Sequence, residues 1–509
     1  MKKYLLILAL TGMISCQDDI SFSQQSTTPN QLVTLHTISV AQAKENLKDF
    51  LEADIETRAT KSIDNIENII AINPNHIGTR ADKLPKDCNT IMYAVNFSDE
   101  QGYAILSADD RIDDEVIAIT SEGSITQSDI EAAKADLQDT KRPIYDGYPK
   151  TGEGLISVEE YPDELFLNPN TFSPLDSTIN DYWIGDFSFG NEGEEDENGN
   201  LIEMYPETRS IDQQSASEHN RKTMDLCLKY ALNELEREDM IGNGGSNSNN
   251  STKTTVEKSH WVSDVYSTPL LFSYSAWNQH SPFNDLYPKK RKYLLFGHKR
   301  RVPAGCFPLA LAKILTHFQT PSYFSYNGNC VDWNSLSNIY NDAGKRSAAV
   351  LLRGIAEWCE SWYFYQGTFT IPSHASSFLS KMGYANVKRY NYKYDRITSM
   401  IDKGCPVIIY AIPGLDITSS HAWIIDGYKI KNRNITTTKS QNGKVINTKV
   451  EKETCKMVHC DFGWGGDCNG YYVDGIFKLN NSENEFDSNW HTQKKNYNHH
   501  VRIIMYDKP

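Results

Sequence analysis

Pro303-Ala304-Gly305-Cys306-Phe307-Pro308-Leu309-Ala310-Leu311-Ala312-Lys313-Ile314-Leu315-Thr316-His317-Phe318 is the stretch around which the chain is organised. Phe307, Leu311, Ile314, Leu315 and Phe318 recur with helical period and define one apolar face. Pro308 suits a first helical turn, where its missing N–H costs nothing. Cys306 therefore falls at the helix N-terminus, where free backbone N–H groups and the helix dipole favour thiolate over thiol. The stretch has a plain alternative reading as an inert cysteine under a core helix, because free cysteines are among the most buried residues. On these residues alone the inert reading takes precedence.

A nucleophilic cysteine needs a base, and histidine is the usual one. Of the 13 histidines, His421 is the best placed. It follows the turn-like Thr418-Ser419-Ser420 and opens the apolar strand Ala422-Trp423-Ile424-Ile425. His298, His491, His499 and His500 sit among charged or polar neighbours and read as surface groups. His317 lies eleven residues along the cysteine's own helix and out of its reach. A third group should orient the imidazole. Val458-His459-Cys460-Asp461-Phe462-Gly463-Trp464-Gly465-Gly466 offers the Asp461 carboxylate for that role, with Trp464 as a shield against water. The Cys306 backbone N–H is one oxyanion donor, and the Gln279 side-chain amide is a candidate for the other. Each residue also has a plain reading: His421 as a hydrogen-bonded strand-end histidine, Gln279 as a surface polar group.

Composition sets the wider frame. At 509 residues the chain exceeds one ordinary core, so two or three domains are expected. The formal net charge of −15 hides an asymmetry. Residues 251–509 carry 32 Lys+Arg against 20 Asp+Glu, and residues 1–250 carry 19 against 46, so a net +12 faces a net −27. Two such halves attract one another if they pack together, and an acidic half covering a basic one is the pattern of an inhibitory pro-segment. The basic clusters Lys289-Lys290-Arg291-Lys292 and Lys299-Arg300-Arg301 form no concentrated stripe for nucleic acid and are expected to face the acidic half.

The N-terminus reads as an export signal, Met1-Lys2-Lys3 followed by a short apolar core to Leu10, too short to span a bilayer. Ser15-Cys16 after that core resembles a bacterial lipobox, in which Cys16 is lipidated. Gln17-Asp18-Asp19 resembles the acidic export tag of Bacteroides-type surface lipoproteins. Of ten cysteines nine remain after Cys16, an odd number that leaves at least one free thiol unless chains pair. No CxxC pair supports a zinc site, and no cofactor is expected. Along the chain, helices are expected at 39–55, 128–141 and 217–238. A hairpin is expected over Thr90–Phe97 and Tyr103–Ser107, with another strand at Val116–Thr120. Further on, helices are expected at 335–339, 348–358 and 373–382. Strands are expected at 406–411, 421–428, 457–462 and 501–506, with 429–453 as a long exposed hairpin insert around Asn442-Gly443. Helices followed by an antiparallel sheet make an α+β fold.

These residues together resemble the streptopain family of papain-like cysteine peptidases. The matching motifs are Trp277-Asn278-Gln279 with Pro282-Phe283-Asn284, Gly305-Cys306 with Ala310 and Ala312, His421 to Tyr428, and Gly463-Trp464-Gly465-Gly466-Asp467 with Gly470-Tyr471-Tyr472. Tyr93 to Phe97 and Gly102 to Arg111 resemble that family's inhibitory propeptide. The resemblance implies a papain-like peptidase domain behind an α+β propeptide, with Cys306 as nucleophile, His421 as base and Gln279 as oxyanion donor. It implies a zymogen acting on protein or peptide substrates, with its own propeptide as intramolecular inhibitor. The expected division is a signal at 1–15, a tether at 16–35, a propeptide region at 36–241 and a linker with the processing site at 242–256. Within the propeptide region the hairpin core lies at about 90–120 and an acidic insert at 150–208. The peptidase domain then covers 257–509. A lipid anchor would be its only membrane contact, at the outer membrane and cell surface.

Three departures accompany the resemblance. Ser419 and Ser420 stand where the family has two glycines, Asp461-Phe462 where it has Asn-Trp, and Lys313 where it has Gln, the last read as a peripheral change. Two rival functions use the same residues: a surface binding lipoprotein that keeps the fold without the activity, and an acyl transferase or amidase with the same Cys–His pair.

Overall fold

The computed structural model describes residues 36–53, 61–75, 77, 84–85, 87–138, 213–241, 252–291, 299–365, 367–412, 421–442, 444–477 and 500–509. The expected signal, the lipidation site Cys16, the tether, the acidic insert and residues 242–251 of the linker lie outside them.

The chain runs α1 (Val40–Glu52), β1 (Ile66–Ile72), β2 (Met92–Phe97), β3 (Tyr103–Ser107), β4 (Val116–Thr120), α2 (Gln127–Gln138) and α3 (Gln213–Ile241). It continues through β5 (Thr252–Lys258), β6 (Val262–Ser267), α4 (Cys306–Phe318), α5 (Asp342–Trp358), α6 (Pro372–Lys381), β7 (Ala385–Asn391) and α7 (Tyr394–Asp402). The last strands are β8 (Val407–Ile412), β9 (His421–Gln441), β10 (Lys444–Asp461), β11 (Gly470–Val473) and β12 (His500–Asp507).

These strands form one antiparallel sheet in the order β1-β2-β3-β4-β11-β10-β9-β8-β12-β7, with β5 and β6 both laid on β9. The N-terminal strands are thus an extension of the C-terminal sheet. Their junction is β4 against β11, with Gly470 opposite Thr120, Tyr471 opposite Ile119 and Tyr472 opposite Ala118. Gly470 is required there, since a Cβ would stand 2.2 Å from the Ile119 carbonyl oxygen.

Local chemistry explains the elements. The Ser39 hydroxyl accepts the Gln42 N–H and caps α1. In α3, Met224, Cys227, Leu228, Ala231, Leu232 and Leu235 follow helical period and are buried. Helix α4 is buried from Phe307 to Thr316, as a helix apolar on nearly every side must be; it packs among α5, α6 and β9. β9 and β10 make the expected long hairpin, with Asn442 at φ 52° in its turn. Its outer half is an exposed arm from residue 444 to 452 on β10.

One boundary is corrected. Thr252–Val256, assigned to the linker, belong to β5, which pairs with the arm from Gln441 to Ile435. Thr254, Thr255 and Val256 favour strand, and the arm presents an edge to receive them. Beyond β5, the strands β1, β6, β7 and β11 and the helix α7 were not expected from the sequence.

Candidate active site

The site is assembled from three segments joined through their backbones. Gly305 precedes α4 with φ 91°, and a Cβ there would lie 2.7 Å from the Thr368 carbonyl oxygen. Thr368 in turn donates its hydroxyl to the Pro303 carbonyl at 2.7 Å. This clamp sets Cys306 as the first residue of the helix. The thiol is half-buried. Burial pushes it above the ordinary thiol range, while the backbone amides of Ala422, Phe307 and Cys306 act in the opposite direction.

Residues 277–279 bridge the other two segments. The Gln279 carbonyl accepts the Ala304 N–H at 2.8 Å, just before Cys306. The Trp277 carbonyl accepts the Gly465 N–H at 3.2 Å, in the turn that follows β10. Gln279 itself is buried. Cys306, Lys313, Ala422, Asp461, Phe462 and Gly463 are among the residues that line one small cavity.

His421 opens β9 opposite Ala411. Its Nε2 lies 3.2 Å from the Phe462 carbonyl oxygen. A carbonyl only accepts, so Nε2 carries the proton and Nδ1 keeps its lone pair. The ring stacks on Trp464, with centroids 5.0 Å apart and planes 22° apart, and faces Trp423 at 5.7 Å. This enclosure and the nearby Lys222 cation hold the imidazole down to about 3, while the Phe462 carbonyl works the other way.

The expected imidazole orienter is therefore corrected. Asp461 does not reach His421. Its two carboxylate oxygens bind the Lys313 ammonium at 2.7 and 2.6 Å. The hydrogen-bond partner of His421 is the next residue's backbone carbonyl, and Trp464 stacks on the ring. Lys313 is corrected as well: it is 1% exposed and ion-paired. A lysine inside the apolar run Leu309 to Leu315, seven residues from Cys306 and so on its face, was the available signal. His317 instead contacts the Gly404 carbonyl. Ser419 and Ser420 lie outside the described residues.

A fourth element covers this assembly: α3, expected as a helix but not as part of the site. His219 on α3 lies flat against Trp464, with centroids 4.4 Å apart and planes 3° apart. Its Nδ1 bonds Asp467 at 2.8 Å. The Lys222 ammonium, paired with Glu218, stands 5.7 Å over the same indole. Further along α3, the Thr223 hydroxyl and the Asn220 side chain meet Cys468, and Tyr230 packs on Gly475. The same side chains also reach the N-terminal domain: Asn220 donates to the Ser124 carbonyl and Tyr230 to Asp114. The helix is thus wedged between the two halves.

The acidic and basic halves also meet at the root of the arm. Glu115 binds Lys258 at 2.7 Å and Arg433 at 2.8 Å, and Asp49 binds His260 and the Trp261 N–H. Lys431 donates to the Phe50 carbonyl with its ammonium 3.7 Å over the Phe50 ring. The basic clusters at 289–291 and 299–301 pair with each other as a small hairpin. Among the described residues, no group of acidic, histidine and cysteine side chains is arranged to hold a metal ion.

Residues 277–472 match the model of the Peptidase C10 family, the streptopain family, and residues 35–144 match that of the Spi protease inhibitor. No curated protein matches the chain. Neither family match reaches α3.

Proposed function

Because the chain carries a streptopain-family (Peptidase C10) cysteine peptidase domain behind a protease-inhibitor propeptide, we propose that it is the zymogen of an endopeptidase working through Cys306 and His421. The observation that carries this reading is the His421–Phe462 hydrogen bond. With Nε2–H held by a carbonyl, Nδ1 is left as the acceptor for a thiol proton. Cys306 at a helix N-terminus provides the other half of the pair.

In the reaction the Cys306 thiolate attacks the scissile carbonyl carbon, and the C=O π pair moves onto oxygen. The oxyanion is held by the Cys306 N–H and the Gln279 side-chain amide. His421, now protonated, gives its proton to the leaving amine as the C–N bond breaks. Water, deprotonated by His421, then attacks the thioester, and the acid product leaves with the Cys306 sulfur restored. Trp464 keeps bulk water off the imidazole throughout.

The zymogen state is inactive for an electrostatic reason. Burial holds the thiol up and the imidazole down, so the proton stays on sulfur. Helix α3 contributes through the His219–Trp464 stack and the Lys222 charge, which opposes the imidazolium. Its seat on Trp464 makes α3 the cover of the site, and release of the enzyme requires a cut after it, at residues 242–251. Cys16 tethers the zymogen to the outer membrane at the cell surface by a lipid, as its sequence suggests. Peptide hydrolysis and self-processing by the purified full-length chain, both lost in Cys306→Ala, test the reading.

A further inference from the structure

We propose that the buried Lys313–Asp461 ion pair is the positioning element of the reaction, fixing the peptide group that orients His421. The inference rests on the Cys306–His421 reading above. The geometry is a single chain of contacts. Lys313 lies on α4 seven residues beyond Cys306, two helical turns along the same face. Its ammonium binds both oxygens of Asp461 at 2.6–2.7 Å. Asp461 Oδ1 also accepts the Gly463 N–H at 3.0 Å. That N–H and the Phe462 carbonyl belong to one planar peptide unit. Anchoring the N–H therefore sets the direction of the oxygen that accepts the His421 Nε2–H at 3.2 Å.

The neighbouring contacts reinforce the anchor. The Phe462 N–H is fixed by the Asn469 side-chain oxygen at 2.9 Å. Gly463, at φ 73°, packs directly on α4; a Cβ would stand 2.7 Å from Leu309 Cδ2. The helix that carries the nucleophile thus also holds the orienter of its base. A carboxylate accepting the amide N–H also polarises the peptide, which puts more negative charge on the carbonyl oxygen facing the imidazole. This stabilises the imidazolium formed when the thiolate forms.

The plain alternative is an ion pair that only fills the core. Single substitutions do not separate the two, since each strands a buried charge and endangers the fold. Two double substitutions do. Lys313→Gln with Asp461→Asn keeps an acceptor for the Gly463 N–H and removes both charges. Lys313→Met with Asp461→Leu removes both charges and the acceptor. Full-length variants are processed in trans by a trace of wild-type enzyme and assayed on a peptide substrate.

The titratable and charged groups around His421 are Cys306, the Lys313–Asp461 pair, and His219 and Lys222 on α3, with Asp467 and Glu218 bound to them. The α3 groups leave on processing. The Gln/Asn pair is expected to keep kcat within about threefold. The Met/Leu pair is expected to lose at least about tenfold in kcat, part of the 10²–10⁴-fold that general acid–base catalysis supplies. Its KM is expected to stay within about twofold, with the histidine limb of the pH profile moved to lower pH. Equal kcat and equal pH profiles in the two variants overturn the inference while leaving the active wild type, and so the proposed function, in place. A processed wild type with no activity overturns the proposed function and the inference with it.

Discussion

His219 and Trp464 lie face to face, with ring centroids 4.4 Å apart and planes 3° from parallel. The same indole lies 5.0 Å from the His421 ring. One indole therefore links a side chain of α3 to the imidazole proposed as the base. On the proposed reading, inhibition acts through solvation and charge as much as through a blocked cleft.

Removing that stack should loosen the cover. A stacked aromatic pair contributes about 0.5–1.5 kcal/mol, and His219→Ala also leaves Asp467 without its imidazole partner. In the full-length protein, His219→Ala is expected to raise the rate at which a thiol-reactive peptide probe labels Cys306 by roughly threefold to tenfold or more, in line with that energy. A rate equal to wild type, with α3 still folded, contradicts the assignment of α3 as the cover.

Acid should weaken the covered state. Burial lowers the His219 pKa, although Asp467 pulls the other way. Burial together with Lys222 holds His421 at about 3. Both rings bind a proton less readily when covered than when hydrated, where an imidazole titrates near 6.5. The uncovered state therefore binds more protons as pH falls below about 6.5, and the stability of the cover declines from there toward the covered-state values. Hydrogen exchange of the α3 amides, corrected for intrinsic exchange, is expected to be faster at pH 5 than at pH 7.5. Greater protection at pH 5 contradicts this sign.

The sheet junction offers a test that spares the site. Gly470→Ala places a methyl against the Ile119 carbonyl, where a Cβ stands 2.2 Å away. The clash is expected to cost about 1–3 kcal/mol in the full-length chain and to accelerate processing. The processed enzyme, no longer paired with β4, is expected to keep its kcat. A fall in kcat with unchanged processing contradicts the idea that β4–β11 pairing serves only the zymogen.

The sequence was informative where local chemistry decides the structure. Helical period and Pro308 located α4 and put Cys306 at its start. Ser39 marked the start of α1, and strand-like apolar runs marked the β2–β3 hairpin and the strand behind His421. What remained hidden depends on long-range pairing or on the backbone. Asp461 looked like the imidazole orienter because it ends a strand beside Trp464. Its partner, Lys313, lies 148 residues away and enters only through packing. The group that His421 bonds is the Phe462 carbonyl, which every residue possesses and no motif records. Helix α3 was expected from its composition. That His219 faces the site was not, because the face it presents is chosen by surfaces far along the chain. The linker boundary failed for a similar reason: β5 is a strand because the arm offers it an edge.

The central claim is that Cys306 is the nucleophile of a self-releasing zymogen. The most direct measurement is mass spectrometry of purified full-length wild type and Cys306→Ala after incubation in reducing buffer. The account predicts that wild type cuts itself within residues 242–251 and then hydrolyses peptides, and that Cys306→Ala stays intact and inactive. Peptide hydrolysis by intact Cys306→Ala at the wild-type rate would contradict it.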